Sequence, residues 1–251
     1  MLDRVIYAGV LIGAIMVIGP TQHFGQSNPV VQARIGVNHT SLSDHDFSQN
    51  RFTGASFAFD IGGQWNGQKW RHELNGAMAN QGLTTIGSII GNGVQFNTMD
   101  HRFVQFRYEI SRYISRGWAD IRLGAGLSSM ASLRSVTYLY NRTQTSNDLA
   151  GGLILIAGIR KKFRKVSTEL QLGMVPMAYS SHPAYGLSQQ TYEMLFLNRI
   201  SWQEGKFCIA VPIGKHWFWS SSYILSLYHI DYGHVFNIGS EQWFMGLAYT
   251  L

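Results

Sequence analysis

A single cysteine, five prolines and only 14% charged residues are what this 251-residue chain has little of, and each shortage excludes something. Cys208, between Phe207 and Ile209, cannot close an internal disulfide and has no companions for a metal cluster, so it reads as a buried or lipid-facing thiol. So little charge is a poor match to the solvated surface of a conventional soluble protein. Long apolar runs are scarce too. The one clear run, Val5 to Gly19, is about fifteen residues, short of the roughly 20 that a membrane-spanning helix needs, and Pro20 follows at once. Zinc-finger spacing, an RNP-like aromatic motif and a long Lys/Arg run are all missing. The net charge of +6 therefore points to an anionic membrane surface, not to nucleic acid.

The apolar run resembles the core of a secretory signal peptide. Arg4 precedes it and a polar stretch follows, with a cut expected between Gly25 and Gln26, although Asp3 offsets Arg4 and His23 is not small. Residues 1–25 are then a leader and 26–251 one domain; an uncleaved anchor helix is the alternative.

From Val30 onward, apolar and polar residues alternate with period two, which sends successive side chains to opposite faces of a sheet. In 102–112, Val104, Phe106, Tyr108 and Ile110 share one face, against Gln105, Arg107, Glu109 and Ser111. Residues 118–128, 165–175 and 241–251 repeat the split. The pattern predicts an all-β fold, an antiparallel transmembrane β-barrel of about ten strands (eight to twelve), at 30–39, 54–65, 69–80, 101–113, 117–130, 149–162, 165–178, 189–202, 206–230 and 241–251. Tight turns are expected at Asn66-Gly67, Ser115-Arg116-Gly117, Phe163-Arg164 and Gln203-Glu204-Gly205. Outer loops are expected at 40–53, 81–100, 131–148 and 179–188. The 206–230 segment is too long for one regular strand, and Pro212 and Gly214 suggest a bulge at 212–216.

Alternation alone does not separate a membrane barrel from a soluble, lipocalin-like one. Two further features favour the membrane. Large aromatics border the expected turns: Trp65, Trp70, Tyr113, Trp118, Phe163, Trp202, Phe207 and, at the C-terminus, Tyr249. They suit an interfacial girdle, where rings lie between hydrocarbon and headgroups. The polar face carries both signs in balance: Arg34, Arg71, Arg107, Arg122, Lys165 and Arg199 against Asp60, Glu73, Glu109, Asp120, Glu169 and Glu193. Charges enclosed in a narrow lumen are tolerable as a matched network, which favours a plugged barrel; a small water-filled channel is the alternative. Arg112, Arg116, Arg160, Lys161, Lys162 and Arg164 gather at the tight-turn end, where anionic headgroups or solvent would suit them.

With these features and a final strand ending Trp243-Phe244-Met245-Gly246-Leu247-Ala248-Tyr249-Thr250-Leu251, residues 30–251 resemble the small outer-membrane β-barrel proteins of Gram-negative bacteria. These are the OmpA/OmpX-like group and similar barrels of Bacteroidota-type genomes; the terminal Leu251 departs from their frequent terminal aromatic. The resemblance implies residence in the outer membrane among its lipids and insertion by the barrel-assembly machinery. It leaves the activity open between a structural or interaction role with periplasmic or surface proteins, a narrow passive channel, and a lipid A-modifying acyl hydrolase or transferase. For the last, His39 and Ser41 share one parity near the outer rim, as a base and its nucleophile must, but no glutamate is evident beside them. Asp44, His45 and Asp46 read as a solvated loop, Ser181-His182-Pro183 carries less still, and no cofactor or metal is expected.

Overall fold

The structure, a computed structural model, describes residues 28–44, 48–67, 70–85, 88–90, 93–95, 98–137, 143–183, 190–231 and 235–251. The expected leader, its cut site, His45 and Asp46 lie outside the described residues.

The described chain is strand with short connections: β1 (Val30–Asp44), β2 (Ser48–Asn66), β3 (Arg71–Thr85), β4 (Ser88–Ile90), β5 (Gly93–Gln95), β6 (Thr98–Ser115), β7 (Asp120–Thr137), β8 (Thr143–Phe163), β9 (Val166–Pro183), β10 (Gln190–Phe196), β11 (Ile200–Pro212), β12 (Trp217–Asp231) and β13 (Val235–Thr250). β4 and β5 form a small hairpin of their own. β10 and β11 both pair antiparallel with β9 and act as one wall strand interrupted at 197–199. The wall is therefore a closed antiparallel cylinder of ten strands, sealed where β13 meets β1 from Val30↔Thr250 to Asp44↔Phe236. Closure matters physically, since each wall strand pairs its backbone with a neighbour on both sides instead of presenting an open sheet edge to hydrocarbon.

The faces settle the orientation. Phe57, Phe59, Ile61, Leu123, Leu127, Leu170, Leu172, Met245 and Leu247 are exposed on the outside, whereas Arg34, Asp60, Glu73, Arg107, Glu109 and Arg122 are buried within. An apolar exterior around a charged interior is the inverse of a soluble barrel. The wall strands run up to the 21 residues of β8, more than the roughly 9–11 that cross a bilayer, so the cylinder continues beyond the apolar band. Most of 40–53 and 131–148, expected as loops, is strand for this reason, and so are 81–85 and 98–100; alternation weakens outside the membrane, where neither face is hydrocarbon.

The path through 200–231 corrects the sequence reading. Gln203-Glu204-Gly205 is not a turn but lies inside β11, and 206–230 is not one long strand but the hairpin β11–β12, closed at 213–216 just after Pro212. Ile213 N–H donates to the Trp217 carbonyl at 3.0 Å there. Pro212 has no N–H to offer the ladder and so ends a strand instead of bulging within one. A bulge falls instead at Pro176: Leu153 pairs with Met177 and Leu155 with Met174, so Val175 and Pro176 oppose Ile154. From Val175 to Ala178 the inward parity of β9 switches, and the neighbouring wall strand breaks at the same level.

Small residues make room where the wall curves. A Cβ on Gly246 would lie 2.1 Å from the Ala33 carbonyl oxygen and 2.8 Å from Arg34 Cγ, so glycine there admits both the close strand approach and the arginine stem.

Candidate functional site

The interior is layered. At the tight-turn rim Arg160 pairs with Asp120 at 2.8 Å and lies over the Tyr113 ring, 3.8 Å from its centroid. Above it, arginines and carboxylates from β1, β2, β3, β6, β7, β9 and β11 interlock. Arg122 is the hub, its side chain only 1% exposed: Nη2 reaches Glu109 at 2.6 Å and Glu73 at 3.2 Å, and Nη1 reaches Glu169 at 2.7 Å. Its Nε donates to Ser111 at 3.0 Å, so all three nitrogens are engaged. Arg71 bonds Glu73 at 2.8 Å and donates to the Tyr113 hydroxyl at 2.5 Å, which donates in turn to Glu169 at 2.9 Å. Arg107 bridges Glu109 and Glu204, and Lys206 reaches Glu73 at 3.1 Å. Arg34 and Asp60, direct cross-strand partners, close a separate pair at 2.7 Å. Across this layer Arg34, Arg71, Arg107, Arg122 and Lys206 are matched by Asp60, Glu73, Glu109, Glu169 and Glu204. A cavity of about 30 Å³ remains among Arg34, Arg107, Glu204 and Lys206, enough for a water molecule or two.

Toward the outer end the filling turns apolar. Leu42, Phe52, Leu83, Met99, Phe103, Ile154, Val175, Leu195, Ile200, Trp202, Tyr228, Phe236 and others form one buried cluster, into which the Arg134–Asp148 pair is set with Arg134 over the Phe236 ring.

Several expected network members lie elsewhere. Lys165 sits exposed in the β8–β9 turn, because the strand ends at Phe163. Asp120 is at the rim. Glu193 and Arg199 pair with each other at 2.8 Å beside the β10–β11 interruption, where Arg199 Nε also donates to the Asp231 carbonyl. Glu204, Lys206, Arg134 and Asp148 were missed; Glu204 and Lys206 were hidden by the misplaced turn, although they continue the inward parity of Trp202.

The aromatics divide similarly. Trp65, stacked on His72, with Trp70, Trp118 (66% exposed) and Phe163, faces outward near the tight turns, and Tyr249 contacts Trp217 with ring centroids 4.8 Å apart. Tyr113 instead points inward to Arg71 and Glu169. Trp202, 2% exposed, is core, edge-on to Tyr228, and Phe207 is outward but within a strand, since no turn adjoins it. Trp217 and Trp219 join the outward set once the turn is placed at 213–216.

Cys208 opposes Glu169 and Ser222 and so lies on the inward parity. His39 and Ser41 take the outward parity near the outer end of β1. Ser41 Oγ accepts from Arg51 Nε at 2.6 Å, and Glu241, unanticipated from sequence, is the direct cross-strand partner of His39. The side chain of Asp44 lies outside the described residues. Among the described residues no group of three or more His, Cys, Asp or Glu is placed to hold a metal.

A closed cylinder with an apolar exterior and enclosed charge is the architecture of bacterial outer-membrane β-barrels, and the protein is an integral barrel of the outer membrane. Comparison of folds agrees. The chain is similar to the outer-membrane protease OmpT from Escherichia coli, with a TM-score of 0.52 and 8% identity over 92% of this chain and 99% of that one. Lower scores relate it to the transport unit of the autotransporter AIDA-I from Escherichia coli (TM-score 0.49, 12% identity, 97% of each chain) and to Neisserial surface protein A (TM-score 0.33, 13% identity, 90% of this chain and 99% of that one). No family model and no curated protein sequence matches the chain.

Proposed function

We propose that the barrel is a closed outer-membrane scaffold with a structural or protein-interaction role, its lumen plugged by paired charges. The observation that carries this is the Arg122 hub: one guanidinium held by three carboxylates, every one of which has a second cation within the layer. A conducting pore needs mobile water beside its charged walls, whereas these groups pair with one another, and the cluster above them is largely apolar, the ion pair set in it already matched. Partner docking falls to the two ends. At the tight-turn end Arg112, Arg116, Lys162 and Arg164 are exposed and offer a basic rim to periplasmic proteins or anionic headgroups.

Purified barrel in a planar bilayer tests the plug. The expected trace shows no discrete conductance steps; stable unitary steps would replace this reading with that of a narrow passive channel.

A further inference from the structure

We infer that the outer wall carries a discrete lipid site at the tight-turn end, where Arg112 and Lys161 seat the two phosphates of a diphosphatidylglycerol-type lipid of the inner leaflet. This deepens the reading of the basic rim and rests on it, not on the plug; lipid retention tests the one and conductance the other.

The aromatic girdle shows where the site lies. On the arc from β12 through β13 and β2 to β3, outward rings mark this end of the barrel: Trp217, Tyr249, Trp65 and Trp70. From β6 to β8 the outward positions near the turns are instead the cations Arg112 and Lys161. Arg112 stands three residues before the end of β6 and Lys161 two before the end of β8. Barrel strands tilt, so the membrane plane crosses successive cross-strand rows and brings these two to similar depth. The row between theirs is Ile114–Ile121–Ile159–Leu170, each the direct partner of the next and all on the outward parity. Leu123, the direct partner of Arg112, is 48% exposed. The two cations thus stand against an aliphatic wall suited to acyl chains, and an ionised group on such a surface is costly enough that a function is the default explanation.

The charges there are uncompensated. Arg112 has no hydrogen bond or ion pair among the described residues. Asp120, Glu73 and Glu169, the described carboxylates near these turns, lie on the inward parity and are already bonded to Arg160, Arg71 and Arg122. Lys161 Nζ lies 4.8 Å from the centroid of the outward Phe163 ring, which holds its stem on the outer face. Arg116, Lys162, Arg164 and Lys165 are exposed in the same two turns and add to the attraction for anionic headgroups. Two strand spacings, roughly 10 Å, separate β6 from β8, a separation that suits two phosphates joined through a glycerol. An acidic periplasmic protein would meet the turns, whereas these two seats are on the wall among isoleucines.

The full barrel, purified in detergent and equilibrated with equal amounts of phosphatidylcholine, phosphatidylglycerol and diphosphatidylglycerol, provides the test, with retained lipid read by native mass spectrometry. Diphosphatidylglycerol should be retained at least fivefold over either other lipid. Arg112→Gln with Lys161→Gln should lower that retention at least fivefold, whereas Lys215→Gln, which removes an exposed cation from the β11–β12 turn, should leave it within twofold. All three side chains lie outside the lumen network, so both proteins should keep the heat-modifiable gel shift of the folded barrel. Folded wild type that retains the three lipids alike, or retains phosphatidylglycerol as well as diphosphatidylglycerol, overturns the proposal. So does a loss in Lys215→Gln equal to that in the double variant, which would mean diffuse charge, or retention that falls with Arg116→Gln and Arg164→Gln but not with the double variant, which would leave the turns to a periplasmic protein.

Discussion

The Arg34–Asp60 pair offers the sharpest test of how the lumen is held together. Both side chains are 3% exposed, their closest atoms are 2.7 Å apart, and Arg34 also donates to Ser222 at 2.8 Å. At an effective dielectric constant near 20, opposite charges about 4 Å apart attract by ~4 kcal/mol, while desolvating each ion costs several kcal/mol. The net worth of the intact pair is therefore small, but breaking it is not. Arg34→Met strands the Asp60 carboxylate between strands with no other cation bonded to it, and we expect a loss of about 3–5 kcal/mol. Arg34→Met with Asp60→Leu removes both ions and should return to within about 1 kcal/mol of wild type, a coupling of at least ~2 kcal/mol. Urea unfolding in phospholipid vesicles, followed by tryptophan fluorescence and by the heat-modifiable gel band, measures wild type, Arg34→Met, Asp60→Leu and the double variant. A double variant as unstable as the sum of its singles would refute this account, and so would Arg34→Met within 1 kcal/mol of wild type.

Trp202→Ala should cost about 3–5 kcal/mol in the same assay, because it empties a buried site against Tyr228. Trp118→Ala, at an exposed turn, should leave stability within about 1 kcal/mol; equal losses would contradict the division into core and rim aromatics. A membrane-impermeant maleimide should leave Cys208 unmodified in the folded barrel and react with it in urea, since the thiol faces the lumen beside Glu169. Rapid labelling of the folded state would turn β11 around.

How much was legible follows from particular residues. The alternation of Val104, Phe106, Tyr108 and Ile110 against Gln105, Arg107 and Glu109 announced a two-faced sheet, and the strand count of ten survives. The error at Gln203-Glu204-Gly205 arose because a polar triplet with glycine has turn chemistry, yet inside a barrel Glu204 is an inward residue with an arginine waiting for it across the lumen. Tyr113 and Trp202 went astray for a related reason: a large ring near a strand end suits an interface or a core equally well, and only its parity against neighbouring strands decides.

Period-two chemistry by itself determined that this chain forms strands with one apolar and one charged face, since that spacing belongs to the backbone of each strand alone. Which charges meet, that Arg122 serves three carboxylates, and that Glu241 stands opposite His39 across the closing seam were decided by the closed cylinder. Register and closure bring together residues from 13 positions apart, as Arg122 and Glu109, to 133 apart, as Glu73 and Lys206, and no local pattern encodes such pairings.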